Sequence, residues 1–126
     1  MTTEEKQLLL KDLCARVPYR VKINIKSDYT EEMEDTELTP YHLDGLGYDA
    51  EYRYLRPYLR PMSSMTEEER REYDKLIAKC IYDPEAYFFE NYNRLYDWLF
   101  KHHFDFRGLI EKGLALEAPE DMYKEK

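Results

Sequence analysis

Residues 102 to 107 read His-His-Phe-Asp-Phe-Arg, the densest gathering of reactive side chains in the chain. Two imidazoles, a carboxylate and a guanidinium this close together are what a small enzyme's site or an ion site would draw on. On a helix, neighbours point about 100° apart, so His102 and His103 cannot share one ion there, whereas His102 and Asp105 can. A zinc site asks for three or four ligands. Cys14 and Cys80 are isolated and His42 lies in a distant segment, so the expectation is no metal and no cofactor. A plainer reading makes His102 and His103 the end of a helix, where imidazoles bond the last carbonyls and complement the dipole.

Other nucleophiles offer less. Ser27, Ser63 and Ser64 stand in no G-x-S-x-G setting, and neither G-x-G-x-x-G nor G-x-x-x-x-G-K-[ST] occurs. Cys14 and Cys80 fall at apolar positions of predicted helices, which predicts reduced, mostly buried thiols. A second patch is a row of even-numbered residues: Tyr48, Tyr52, Tyr54, Arg56, Tyr58 and Arg60. If that chain is extended they share one side, and aromatic-plus-arginine surfaces suit interfaces and single strands. Alternatively the tyrosines are the core face of a strand, with Arg56 and Arg60 paired to acids.

The net charge of −8 is concentrated: Asp28 to Glu51 holds nine acids and no Lys or Arg, leaving the rest near neutral. That balance argues against binding duplex nucleic acid, which needs a basic surface. The acidic block is either a solvated face or a dock for a basic partner. Residues 1–126 are expected to form one domain, with 119–126 a frayed tail. The opening MTTEEK carries acids where a signal peptide carries bases, and no window approaches a membrane span, so the expected location is cytoplasmic, with no membrane partner.

The elements that would position these groups follow from periodicity. Thr2 to Ala15 reads as a helix with a Thr2/Glu5 capping box and an apolar stripe of Leu9, Leu10, Leu13 and Cys14. Arg20 to Lys26 alternates as a strand with Val21, Ile23 and Ile25 on one face. Thr36 to Leu43 is a weaker strand, at an edge because of Pro40. Tyr48 to Leu55 is the third, giving an antiparallel meander. Leu55-Arg56-Pro57 and Leu59-Arg60-Pro61 repeat, and the prolines suggest a rail leaving the sheet. A helix from Thr66 to Tyr82 carries a Thr66/Glu69 capping box and a stripe of Tyr73, Leu76, Ile77, Cys80 and Ile81. Another starts at Asp83-Pro84, breaks near Asn91 or Asn93, and resumes from Arg94 to His102 with Leu95, Trp98 and Leu99 inward. Trp98 is then a core residue, with Phe104 and Phe106 folded back on it. Gly108 and Gly113 allow turns before a short strand over 114–117. The fold class is α+β: an N-terminal helix, a small three-stranded antiparallel sheet, and C-terminal helices packed on one face.

The strings RPYLRPMSSMTEEE, DWL-x-x-HHFDFRGLIEKGLALEAPE and LLLKDLCARVPY resemble small hypothetical proteins of Bacteroides-type gut bacteria and their mobile elements. The resemblance covers both ends and the middle, but not Ile25 to Glu51. It implies an accessory role on a mobile element and transfers no catalytic residue. Two function classes follow: a non-enzymatic protein-interaction or accessory protein, or a small enzyme using His102, His103, Asp105 and Arg107.

Overall fold

A computed structural model describes residues 2–26, 32–45, 55–82 and 87–124. It is a mixed helix-and-sheet fold with more strands than the expected three: α1 (Thr3–Arg16), β1 (Lys22–Lys26), β2 (Met33–Glu37), α2 (Pro40–Gly45), β3 (Leu55–Pro61), α3 (Glu67–Tyr82), α4 (Phe88–Lys101), β4 (Phe104–Asp105) and β5 (Leu116–Glu117).

The N-terminal helix starts where its capping box places it: Thr2 accepts from the backbone N–H of Glu5, and the Glu5 carboxylate accepts from Thr2. Leu9 and Leu13 are fully buried, but Cys14 is exposed, correcting the expected buried thiol. The inward stripe instead runs Leu9, Asp12, Leu13, Arg16, with the two charged residues wholly buried.

β1 pairs antiparallel with β2, Lys22 opposite Glu37 and Asn24 opposite Asp35, so the acidic block supplies an edge strand. That strand ends earlier than expected. Pro40 begins α2, because proline suits a helix's first turn, where no N–H partner is needed. The expected third strand, Tyr48 to Leu55, lies outside the described residues except for Leu55.

The Leu-Arg-Pro repeat corrects a second expectation. It is no rail leaving the sheet; it is β3, the strand on which the others assemble. β3 pairs antiparallel with β1 and parallel with β4 and β5. Arg60 N–H donates to the carbonyl of His103 at 2.8 Å, while the Leu59 carbonyl accepts from Ala118 N–H at 2.8 Å. Adjacent strand residues turn their backbone groups to opposite sides, so β4 and β5 occupy opposite edges of β3. Pro57 and Pro61 share the parity of Leu59, and their missing N–H groups therefore face the β5 edge, where pairing is only two residues long. Leu55, Pro57 and Leu59 are buried and Arg56, Tyr58 and Arg60 are half-exposed.

Two apolar clusters result. Leu9 and Leu13 pack with Val21, Ile23, Leu38, Leu55, Leu59, Leu109 and Leu114. Leu95, Leu99 and Phe104 pack with Met62, Met65, Tyr73, Leu76, Ile77, Cys80 and Trp98. The helix α4 runs unbroken through Asn91 and Asn93, and Asn91 is buried. Ile81, assigned to the inward stripe of α3, is exposed, as is Tyr82. No helix among the described residues is long and apolar enough to cross a membrane.

Candidate functional site

The His-His-Phe-Asp-Phe-Arg run follows α4, and each polar member turns to a different part of the molecule. His102 is the C-cap. Its ring stands 4.6 Å from that of Trp98, and Nδ1 lies 3.5 Å from a Glu69 carboxylate oxygen. Burial lowers its pKa despite the carboxylates of Glu69 and Glu72. His103 adopts a left-handed backbone (φ 62°), which throws its side chain the other way. It is buried and stacked on Tyr123 at 3.7 Å between centroids. Burial, reinforced by the cations Arg16, Arg60 and Lys22 and by His102, pushes its pKa down to about 4. The ring is therefore neutral at pH 7, and its Nδ1 makes no hydrogen bond among the described residues. Among the described residues neither imidazole bonds the last helix carbonyls; Arg60 reaches the carbonyl of His102 instead.

Asp105 serves the backbone. Oδ1 accepts from Leu109 N–H at 2.8 Å and Oδ2 from Ile110 N–H at 3.0 Å. Both oxygens thus pin the turn that Gly108, at φ 73°, makes possible. Arg107 turns back to α1: Nε donates to Asp12 Oδ1 at 3.0 Å. Asp12 Oδ2 accepts from Arg16 Nε at 2.6 Å, and Arg16 Nη2 donates to the Phe104 carbonyl at 2.7 Å. The buried Arg16 guanidinium also stands 5.2 Å from the Phe100 ring centre and 5.7 Å from that of Phe106. This Arg16–Asp12–Arg107 chain escaped the sequence reading. Its signal was present: Asp12 and Arg16 fall at i+3 and i+7 of a stripe beginning at Leu9.

The even-numbered row behaves differently. Tyr48, Tyr52 and Tyr54 lie outside the described residues. Arg56, Tyr58 and Arg60 do share one face of β3. Each is engaged internally: Arg56 Nε donates to the Gly113 carbonyl, Tyr58 hydroxyl to Asp35, and Arg60 to both carboxylate oxygens of Glu69 at 2.7 and 2.8 Å. Tyr58 meets the acidic block, and Arg60 takes its acid from α3. That fork lowers the Glu69 pKa to about 2 while Thr66 N–H donates to the same carboxylate in the expected capping box. Arg60 also lies 4.3 Å from the centre of the Phe104 ring.

Trp98 stacks on Phe104 at 5.6 Å and on Tyr73 at 5.9 Å, and its Nε1–H donates to Glu72. Phe106 packs instead on Phe100 at 5.3 Å and Tyr96 at 5.5 Å. Tyr96 begins an aromatic ridge that runs back along α4: Tyr96 to Tyr92 at 6.4 Å, Tyr92 to Phe88 at 4.6 Å, Phe88 to Phe89 at 5.4 Å. Phe89 is 80% exposed, Phe88 49% and Tyr96 42%. The four-residue spacing of Phe88, Tyr92 and Tyr96 carried this signal in the sequence. Among the described residues, no three of His, Cys, Asp and Glu converge as an ion site would require. No protein-family model, curated protein or solved structure matches the chain.

Proposed function

We propose that the chain is a non-enzymatic interaction protein that docks a partner protein along the aromatic ridge of α4. The observation carrying this reading is the ridge itself: four linked rings on one helix, with Phe89 left 80% exposed. Large exposed aromatic surface costs solubility unless a partner covers it, and aromatic residues dominate interface energetics. The competing reading, an enzyme at His102, His103, Asp105 and Arg107, draws less support. Those four side chains point to separate places: His102 to Glu69, His103 to the ring of Tyr123, Asp105 to the backbone N–H groups of Leu109 and Ile110, and Arg107 to Asp12. An accessory role on a mobile element, implied by the resemblance, is compatible with docking.

The test is affinity capture from the native host with the wild-type chain and with Phe89→Asp/Tyr96→Asp, both shown by circular dichroism to fold. The expected result is a protein retained by the wild type and lost by the variant. Equal retention by both overturns the reading.

A further inference from the structure

At its C-terminal end the ridge meets a groove of about 350 Å³ between α1 and α4, lined by Lys11, Ala15, Tyr96, Phe100, Phe106 and Arg107. Resting on the interaction reading, we propose that this groove binds an acidic peptide segment in which a carboxylate neighbours an aromatic side chain.

Three observations select that class of ligand. The wall is aromatic: Tyr96, Phe106 and Phe100 are in contact at 5.5 and 5.3 Å, an apolar surface fit to hold a planar ring. The two charged residues of the lining, Lys11 and Arg107, are both cations, and no carboxylate lines it. The nearest buried anion, Asp12, is shared between Arg16 and Arg107, so two guanidinium charges face one carboxylate. Arg107 therefore shares its anion with Arg16, and Lys11 adds a second cation to the lining. In a chain of net charge −8 this is a local inversion of sign. Arg107 is also pre-positioned. Asp12 holds its Nε and Phe106 lies 4.9 Å from the guanidinium, which fixes the group at the groove while its terminal amino groups make no hydrogen bond among the described residues.

Fluorescence anisotropy tests this with a labelled peptide alternating glutamate and phenylalanine, against controls with lysine for glutamate and with serine for phenylalanine. The expected result is saturable binding of the first peptide only, weakened several-fold between low and physiological salt. Lys11→Glu, on an exposed helix position, should weaken it about tenfold with an unchanged melting temperature. Tyr96→Ala should weaken it separately. Equal binding of the lysine peptide, no effect of Lys11→Glu, or binding of adenosine monophosphate in place of the peptide overturns the proposal. If the ridge variant loses its partner in capture while Lys11→Glu leaves peptide binding untouched, the groove is wrong and the interaction reading stands.

Discussion

A buried guanidinium is tolerated when anions, acceptors and ring faces replace the water it loses, and Arg16 finds these in Asp12, the Phe104 carbonyl and the rings of Phe100 and Phe106, with only its Nη1 left without a hydrogen bond among the described residues. It takes a place on the inward stripe of α1, so Cys14 rotates out to solvent. Thiol labelling of the folded protein should modify Cys14 fast and Cys80, packed between α3 and α4, much more slowly. Similar rates would contradict the placement of α1. Trp98 is the other residue whose environment decides its role. It was legible as core from its spacing to Leu95 and Leu99, but its hydrogen bond to Glu72 was not, because nothing in one helix shows what faces it on another. Its ring is half-buried, so Trp98→Ala should cost about 2–3 kcal/mol, below the full cost of an enclosed tryptophan. Denaturant unfolding measures this, and a change under about 0.5 kcal/mol would place the ring outside the core.

Among the elements, two helix starts were readable because capping boxes are local: Thr2/Glu5 and Thr66/Glu69 both form, while the start expected at Asp83-Pro84 lies outside the described residues. β3 was not readable, although Leu55, Pro57 and Leu59 alternate with Arg56, Tyr58 and Arg60. Proline is tolerable in a strand when its missing N–H falls on a weakly paired edge, and only the tertiary arrangement says which edge that is. The segment after Pro119, expected to fray, likewise depends on distant partners. Tyr123 accepts from Lys22 N–H at 2.9 Å and donates to the Tyr58 carbonyl at 2.7 Å, bridging β1 and β3 just beyond their paired residues. Burial raises its phenolic pKa, and His103 covers its ring. This latch makes stability depend on pH. His103 titrates near 4 when folded and near 6.5 when unfolded. Above pH 6.5 neither state is protonated. Between 6.5 and 4 the unfolded chain takes up a proton that the folded chain refuses, so stability falls as pH is lowered, by about 2–3 kcal/mol. His103→Asn, which accommodates the positive φ, should flatten that slope in melts across pH 4–7. Parallel profiles for wild type and variant would show that His103 does not cause it.

For the whole molecule, charge and scaffold point the same way. The acidic edge strand β2 and a net charge of −8 predict weak binding of duplex DNA, with no shifted band at micromolar protein and physiological salt. A clear shift would redirect attention to Lys22, Lys26 and Arg56. In the reading we propose, the His102–Arg107 run after α4 is scaffold and docking takes place on the ridge beside it. Asp105 separates the alternatives best, because a catalytic carboxylate is commonly held at some expense of stability, and its removal leaves a fold as stable or more so. A carboxylate that holds two backbone N–H groups does the opposite when removed. The thermal melt of Asp105→Ala is therefore the decisive measurement. Loss of both bonds at a buried site should cost about 2–4 kcal/mol and lower the melting temperature by about 10 °C or more. A melting temperature equal to or above that of the wild type would contradict the account.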